Sequence, residues 1–241
     1  MKELFGHNYE LYPFEIFSVL HVLTIGVFLA VSFIMYLLRE RLRMYDKKIR
    51  IVMFLSLFLF ELAYHYWLFK DGYWDVSFTL PLQLCSISLL LCLVLLATNL
   101  RWMFQIVFFL GGAGALQALI TPELFVGFPH FRFIQFFITH MLIIWVALYY
   151  LFVKGYRPTS KGLLHAFLFL NAAAVFAFIA NIITGGNYMF LARKPTNASL
   201  LDYLGPYPTY ILSLEVIAIS LFVIMYLPFG LGERKKKRSV Q

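Results

Sequence analysis

Seven stretches of this 241-residue chain are each long and apolar enough to cross a lipid bilayer as a helix, which fixes the class of fold before any single residue is weighed. They run Phe14–Leu38, Arg50–Phe69, Leu80–Thr98, Met103–Thr121, Phe133–Val153, Leu163–Thr184 and Tyr210–Pro228. Only 13% of the residues are charged and 62% are hydrophobic, whereas a soluble domain carries roughly 25% charged residues. The expected fold is an all-α integral membrane protein, a seven-transmembrane-helix bundle. Residues 1–230 would form its single domain and 231–241 a basic tail. The first apolar run is too long for a cleavable leader and reads as a span. The 27 phenylalanines are expected to face lipid.

Orientation follows from the basic residues. If the N-terminus is outside, the inner side holds Arg39, Arg41, Arg43, Lys47, Lys48, Arg50, Arg101, Lys154, Arg157, Lys161 and the run Arg234–Arg238. That is fifteen of the 20 basic residues. Lysine and arginine accumulate on the cytoplasmic side, so the chain is expected to run N-terminus outside, C-terminus cytoplasmic. The short loops and missing processing signals point to a bacterial cytoplasmic membrane. Asn197-Ala198-Ser199 in the last outer loop fits a glycosylation sequon, meaningful only in a eukaryotic secretory pathway.

Polar side chains inside spans are costly and usually face the bundle interior. At about 1.5 Å of rise per residue, most of them fall at one depth. Glu15, Ser18 and His21 lie in the outer half of the first helix, and Glu61 and His65 near the outer end of the second. Gln83 and Cys85 open the third helix and Gln117 lies near the outer end of the fourth. Arg132, Gln135 and His140 lie in the fifth, Asn181 in the sixth and Glu215 in the seventh; Asn171 is the mid-membrane exception. Such segregation predicts a polar chamber in the outward half of the bundle.

Within it, Leu80-Pro81-Leu82-Gln83-Leu84-Cys85 places a proline at an expected helix start and a thiol one turn on. The free N–H groups and dipole at a helix start favour a thiolate. The plainer alternative is a small buried hydrophobe. Cys85 and Cys92 are too far apart along one helix to be bridged. Glu61 and His65 are four apart, on one face. His140 lies at a depth compatible with Cys85, and a thiol nucleophile needs a base, most often histidine. Arg132 is either an interfacial anchor or a phosphate ligand.

These motifs resemble a known family. Leu80-Pro81-Leu82-Gln83-Leu84-Cys85 is similar to the Leu-Pro-Leu-His-Leu-Cys signature of YwaF-type bacterial integral membrane proteins, related to eukaryotic transmembrane protein 164. Phe131-Arg132-Phe133 with His140, Asn187-Tyr188-Met189-Phe190-Leu191 with Lys194-Pro195, and Leu204-Gly205-Pro206-Tyr207-Pro208 extend the resemblance over nearly the whole chain. It implies a cysteine-dependent acyltransferase moving fatty acyl chains between glycerophospholipids, with Cys85 as nucleophile and His140 as partner. Gln83 stands where the family pattern often has histidine, which leaves His140 and His65 as candidate bases.

The expected function is therefore acyl transfer or acyl hydrolysis on membrane phospholipids, through Cys85 and His140. Glu61, His65, Gln83, Gln117, Gln135, Asn181 and Glu215 are the supporting polar groups, and Arg132, Arg193 and Lys194 the headgroup-binding cations. No cofactor, bound metal or nucleic-acid partner is implied. The alternatives are an outward-open small-ligand transporter or receptor, and a zinc-dependent hydrolase using Glu61, His65, Cys85 and His140. Gly111-Gly112-Ala113-Gly114 is expected to allow close helix packing.

Overall fold

The computed structural model describes residues 2–7, 10–195 and 200–238. The sequon at Asn197 lies outside them. The apolar runs form α1 (Val19–Leu37), α2 (Asp46–Lys70), α3 (Leu84–Thr98), α4 (Arg101–Ile120), α5 (Phe131–Phe152), α6 (Ser160–Thr184) and α7 (Thr209–Arg238). Six have the length and apolarity of a membrane span; α3, with 15 residues, falls short. Among the described residues, six helices of spanning length mark this as an integral membrane protein. Among the described residues the only strand-like pairing is one bridge, Pro13 to Val126.

Local chemistry sets the helix ends. Ser18 and Thr159 cap α1 and α6 by accepting from the amides of His21 (3.4 Å) and Gly162 (3.0 Å). Asn99 and Gly185 close α3 and α6 in the left-handed conformation, with φ of 56° and 68°. The start of α3 departs from expectation. Leu80–Gln83 is a turn, not a first helical turn, and the helix begins at Leu84. Tyr188 holds the lead-in off the helix axis, since its hydroxyl accepts the Leu80 amide at 3.0 Å.

α5 is the axis of the bundle. It packs against α1, α2, α3 and α4, and is buried along most of its length; α6 and α7 lie on the far side of α4. Lipid is as apolar as leucine, so close packing and hydrogen bonds hold such helices together. In α4 the turn Val107–Gly111 widens to a π-helix ahead of the glycines. A Cβ at Gly111 would lie 3.2 Å from Ile143, and one at Gly114 3.2 Å from Leu84, so the small residues do permit close approach. The phenylalanines do not all face lipid: Phe104, Phe109, Phe137 and Phe222 are fully buried between helices. Edge-on and tilted contacts such as Phe109–Phe222 at 5.6 Å fill the centre.

The two ends of the bundle are tied differently. At the end opposite the chain's N-terminus, Asp46 accepts from the Tyr149 hydroxyl (2.8 Å), Lys154 Nζ (2.9 Å) and Arg50 Nε (3.2 Å). Arg50 also donates to the carbonyl of Leu96 in the last turn of α3. One carboxylate thereby joins α2 to α5 directly and to α3 through Arg50. Removing it with Asp46→Ala strands a buried phenol and two half-buried cations, so a loss of about 2–3 kcal/mol is expected. Thermal unfolding of the detergent-solubilised variant measures it, and Lys154→Met, which removes the most exposed partner, should cost less.

Candidate functional site

At the end of the bundle that carries the N-terminus lies a cavity of about 580 Å³, within the size range of sites for small molecules. α2 supplies Glu61 and Tyr64, and the α3 start supplies Gln83, Cys85 and Ser86. The end of α4 supplies Gln117 and Thr121, and one face of α5 supplies Arg132, Gln135, Phe136, Thr139 and His140. The long loop between α6 and α7 covers the cavity with Phe190, Pro195, Asp202 and Tyr203. Its floor is apolar, with Leu89 lining it and Leu57, Cys92, Leu95 and Ile143 fully buried in the core.

Cys85 and His140 come from different helices and line this one cavity. No hydrogen bond joins them among the described residues. His140 is buried, at 7% relative exposure. Its Nδ1 sits 2.7 Å from the Phe136 carbonyl, which can only accept, so Nδ1 carries the proton and Nε2 keeps a free lone pair. The ring also packs on Phe136, centroids 4.1 Å apart. One helix turn thus fixes both tautomer and orientation.

Arg132 is the cation lining the cavity. Its guanidinium lies 4.4 Å over the Tyr64 ring and 5.5 Å over Phe136, and it donates to Gln135 Oε1. Stacking fixes the plane of the guanidinium while leaving further N–H donors free. Glu61 shares this corner and pairs with His65 Nε2 at 3.5 Å. At the mouth Gln117 donates to Thr121 (2.6 Å). Burial, with the Asp202 charge nearby, pushes the Glu123 carboxyl above its ordinary range.

Other expected cavity residues lie elsewhere. His65 does not reach the cavity; its Nδ1 accepts from Trp74 at 3.3 Å. Asn181 is a strut for the covering loop, accepting the Tyr188 amide (2.6 Å) and donating to the Tyr188 carbonyl (3.1 Å). Glu215 accepts from Asn171 at 3.1 Å and ties α6 to α7. Arg193 and Lys194 lie in the covering loop but not on the cavity wall; Lys194 Nζ sits over Tyr210 at 5.7 Å and donates to the Asp202 carbonyl at 3.5 Å. His21 is bonded through both ring nitrogens, to the Phe17 amide (3.0 Å) and the Leu119 carbonyl (2.8 Å). The polar groups share a depth but split between one chamber and several helix ties. Among the described residues no three His, Cys, Asp or Glu side chains gather as metal ligands, so the ligand set of a zinc hydrolase is not assembled.

A sequence model of the TMEM164 family matches residues 15–226, most of the chain. The chain belongs to the TMEM164 family. Every residue lining the cavity falls inside the matched region. Comparison with curated proteins and with solved structures gives no significant match. The YwaF-type branch of the resemblance has no counterpart in these comparisons.

In this TMEM164-family chain, several cavity residues escaped the sequence reading. Tyr64 is three residues from Glu61, and Thr139 is four from Gln135, so helical spacing puts each on a face already marked. Glu123, Asp202 and Tyr203 are brought in by loops, and no local pattern signals them. Gln83 lines the cavity, and its Oε1 accepts the Met189 amide of the covering loop at 2.9 Å.

His130 positions the cavity face of α5 from outside it. Its Nδ1 accepts the Arg132 amide (3.1 Å) as the helix cap, and Nε2 donates to the Gly6 carbonyl (2.8 Å). The cap at Nδ1 requires the neutral ring, whereas the Nε2 bond survives protonation. Burial first, with the charges of His7 and Arg132 adding to it, holds the imidazole below its ordinary value of 6.5. The folded state therefore binds this proton less well than the unfolded chain. The cap is fully worth its stability above about pH 6.5 and loses it as pH falls toward the depressed value. Melting curves at pH 7.5 and 5.5 should show a larger loss for the wild type than for His130→Asn, which still caps but does not titrate.

Proposed function

We propose that this protein moves or hydrolyses fatty acyl chains on membrane phospholipids through a Cys85 thioester, with His140 as the proton carrier. The observation that carries the reading is that a thiol and an imidazole with a free Nε2, from two helices, open onto one partly apolar, partly polar cavity. Such pairing of nucleophile and base is what covalent acyl transfer requires. It agrees with the activity implied by the likeness to transmembrane protein 164.

In the first half-reaction Cys85 Sγ attacks the ester carbonyl carbon while its proton passes to His140 Nε2. The carbon–oxygen ester bond breaks, and His140 returns the proton to the departing lysolipid oxygen. In the second, a lysolipid hydroxyl or water gives its proton to His140 and attacks the thioester, and the thiol takes the proton back. Proton transfer to His140 accompanies attack. Arg132, anchored on Tyr64, offers its remaining N–H donors to the phosphate. The apolar, buried residues below Leu89 support a reaction chamber over a route for polar solutes. The excess of basic residues at the opposite end supports an orientation with the N-terminus and the cavity facing outward.

The test is to trap the intermediate. Purified protein in vesicles containing a phospholipid with an isotope-labelled acyl chain, quenched in acid and digested, should yield the Cys85 peptide carrying that chain. Hydroxylamine should release it. A peptide that stays unmodified while labelled chains move between lipids would refute the thioester.

A further inference from the structure

We infer that the backbone N–H groups of Cys85 and Ser86 form an oxyanion hole for the acyl carbonyl, left open because Gln83 is committed elsewhere. This rests on the acyl-transfer reading above and adds to it the groups that bind the developing charge. The first intrahelical bond of α3 runs from the Ile87 amide to the Gln83 carbonyl at 3.0 Å. The amides of Leu84, Cys85 and Ser86 are therefore unspent by the helix. A residue at the Gln83 position usually turns its side chain back to cap them. Here that side chain makes no cap and instead accepts from Met189. Among the described residues, no other acceptor meets these three amides.

A helix start with free donors is common at a water-exposed surface. At this one the cavity wraps the helix end, with Phe78, Thr79 and Leu80 ahead of it and Cys85, Ser86 and Leu89 along its side. A second observation marks where a ligand sits: His140 is more than nine-tenths buried, lines the same cavity and keeps Nε2 unpartnered. Unspent donors on the cavity wall and a free acceptor open to the same space call for a group that is polar at one atom and becomes anionic there. An ester carbonyl under attack by Cys85 is such a group. As the sulfur–carbon bond forms, the carbonyl π electrons move onto oxygen, and the two N–H groups with the positive helix end receive the charge. Its collapse expels the lysolipid oxygen, protonated by His140.

The test removes one N–H without touching a side chain that reacts. In a Ser86→Ala background, incorporating lactic acid at position 86 turns the 85–86 amide into an ester. Acylation of Cys85 by a phospholipid or p-nitrophenyl ester should fall by about 10²–10³-fold relative to Ser86→Ala. Alkylation of Cys85 by iodoacetamide should slow much less, because displacement at saturated carbon develops no oxyanion and loses only the help that N–H gives the thiolate. Unchanged acylation, or equal loss of acylation and alkylation, overturns the proposal. Should the ester protein fail to fold, wild-type protein can be given a lipid whose carbonyl oxygen is replaced by sulfur, a poorer acceptor. Acylation slower by about 10²-fold is expected, and comparable rates for the two lipids overturn it. Failure of the thiol reading itself looks different, since a Cys85→Ala protein would then keep its activity.

Discussion

A Cys85→Ala protein should bind its lipids but transfer acyl chains at least about 10³-fold more slowly than the wild type, as expected when a covalent nucleophile is deleted. The substitution removes one sulfur from the cavity wall and touches no hydrogen bond that holds the fold. The second thiol offers no rescue. Cys92 is fully buried in α3, with Sγ 4.0 Å from the Ile143 carbonyl, two turns beyond Cys85. Cys92→Ala is therefore the matched control and should retain activity at the cost of a small packing defect. Following labelled acyl chains by mass spectrometry in vesicles reads both variants. Equal rates for wild type and Cys85→Ala would leave the bundle without its nucleophile.

The second large effect belongs to His140. Replacing it with asparagine keeps a donor in range of the Phe136 carbonyl but deletes the base, and a loss of about 10²–10⁴-fold is expected for phospholipid esters. The pattern across substrates separates chemistry from structure. A p-nitrophenyl ester expels a good leaving group that needs no proton returned, so its deficit should be smaller. A variant damaged only in packing would lose the same factor on both. Its melting temperature, compared with that of Cys85→Ala, checks that the bundle is intact.

Depth was legible in the sequence, and direction around each helix axis was not. A rise of about 1.5 Å per residue puts Cys85, His140, Asn181 and Glu215 in one layer, whichever way each faces. The packing order then decides: α5 and α3 share the cavity, whereas α6 and α7 lie behind α4, so Asn181 and Glu215 become ties. One residue of rotation separates Tyr64, on the wall, from His65, off it. Arg132, Gln135 and His140 were readable because they recur at helical spacing, and Thr139, passed over in the sequence, completes the same stripe. The start of α3 was misjudged because Pro81 suits a first helical turn as well as a tight turn. The bond from Leu80 to Tyr188, 108 residues away, chooses the turn.

The brevity of α3 ties this chemistry to bilayer thickness. Its 15 residues rise about 22 Å, some 8 Å less than a typical hydrocarbon layer, and the missing length is non-helical backbone that only a protein-lined space tolerates. On the acyl-transfer reading proposed above, a helix this short would set the thiol beneath the interface, near the level where glycerol meets its fatty chains. A lipid would then offer its ester there without being lifted out of the leaflet.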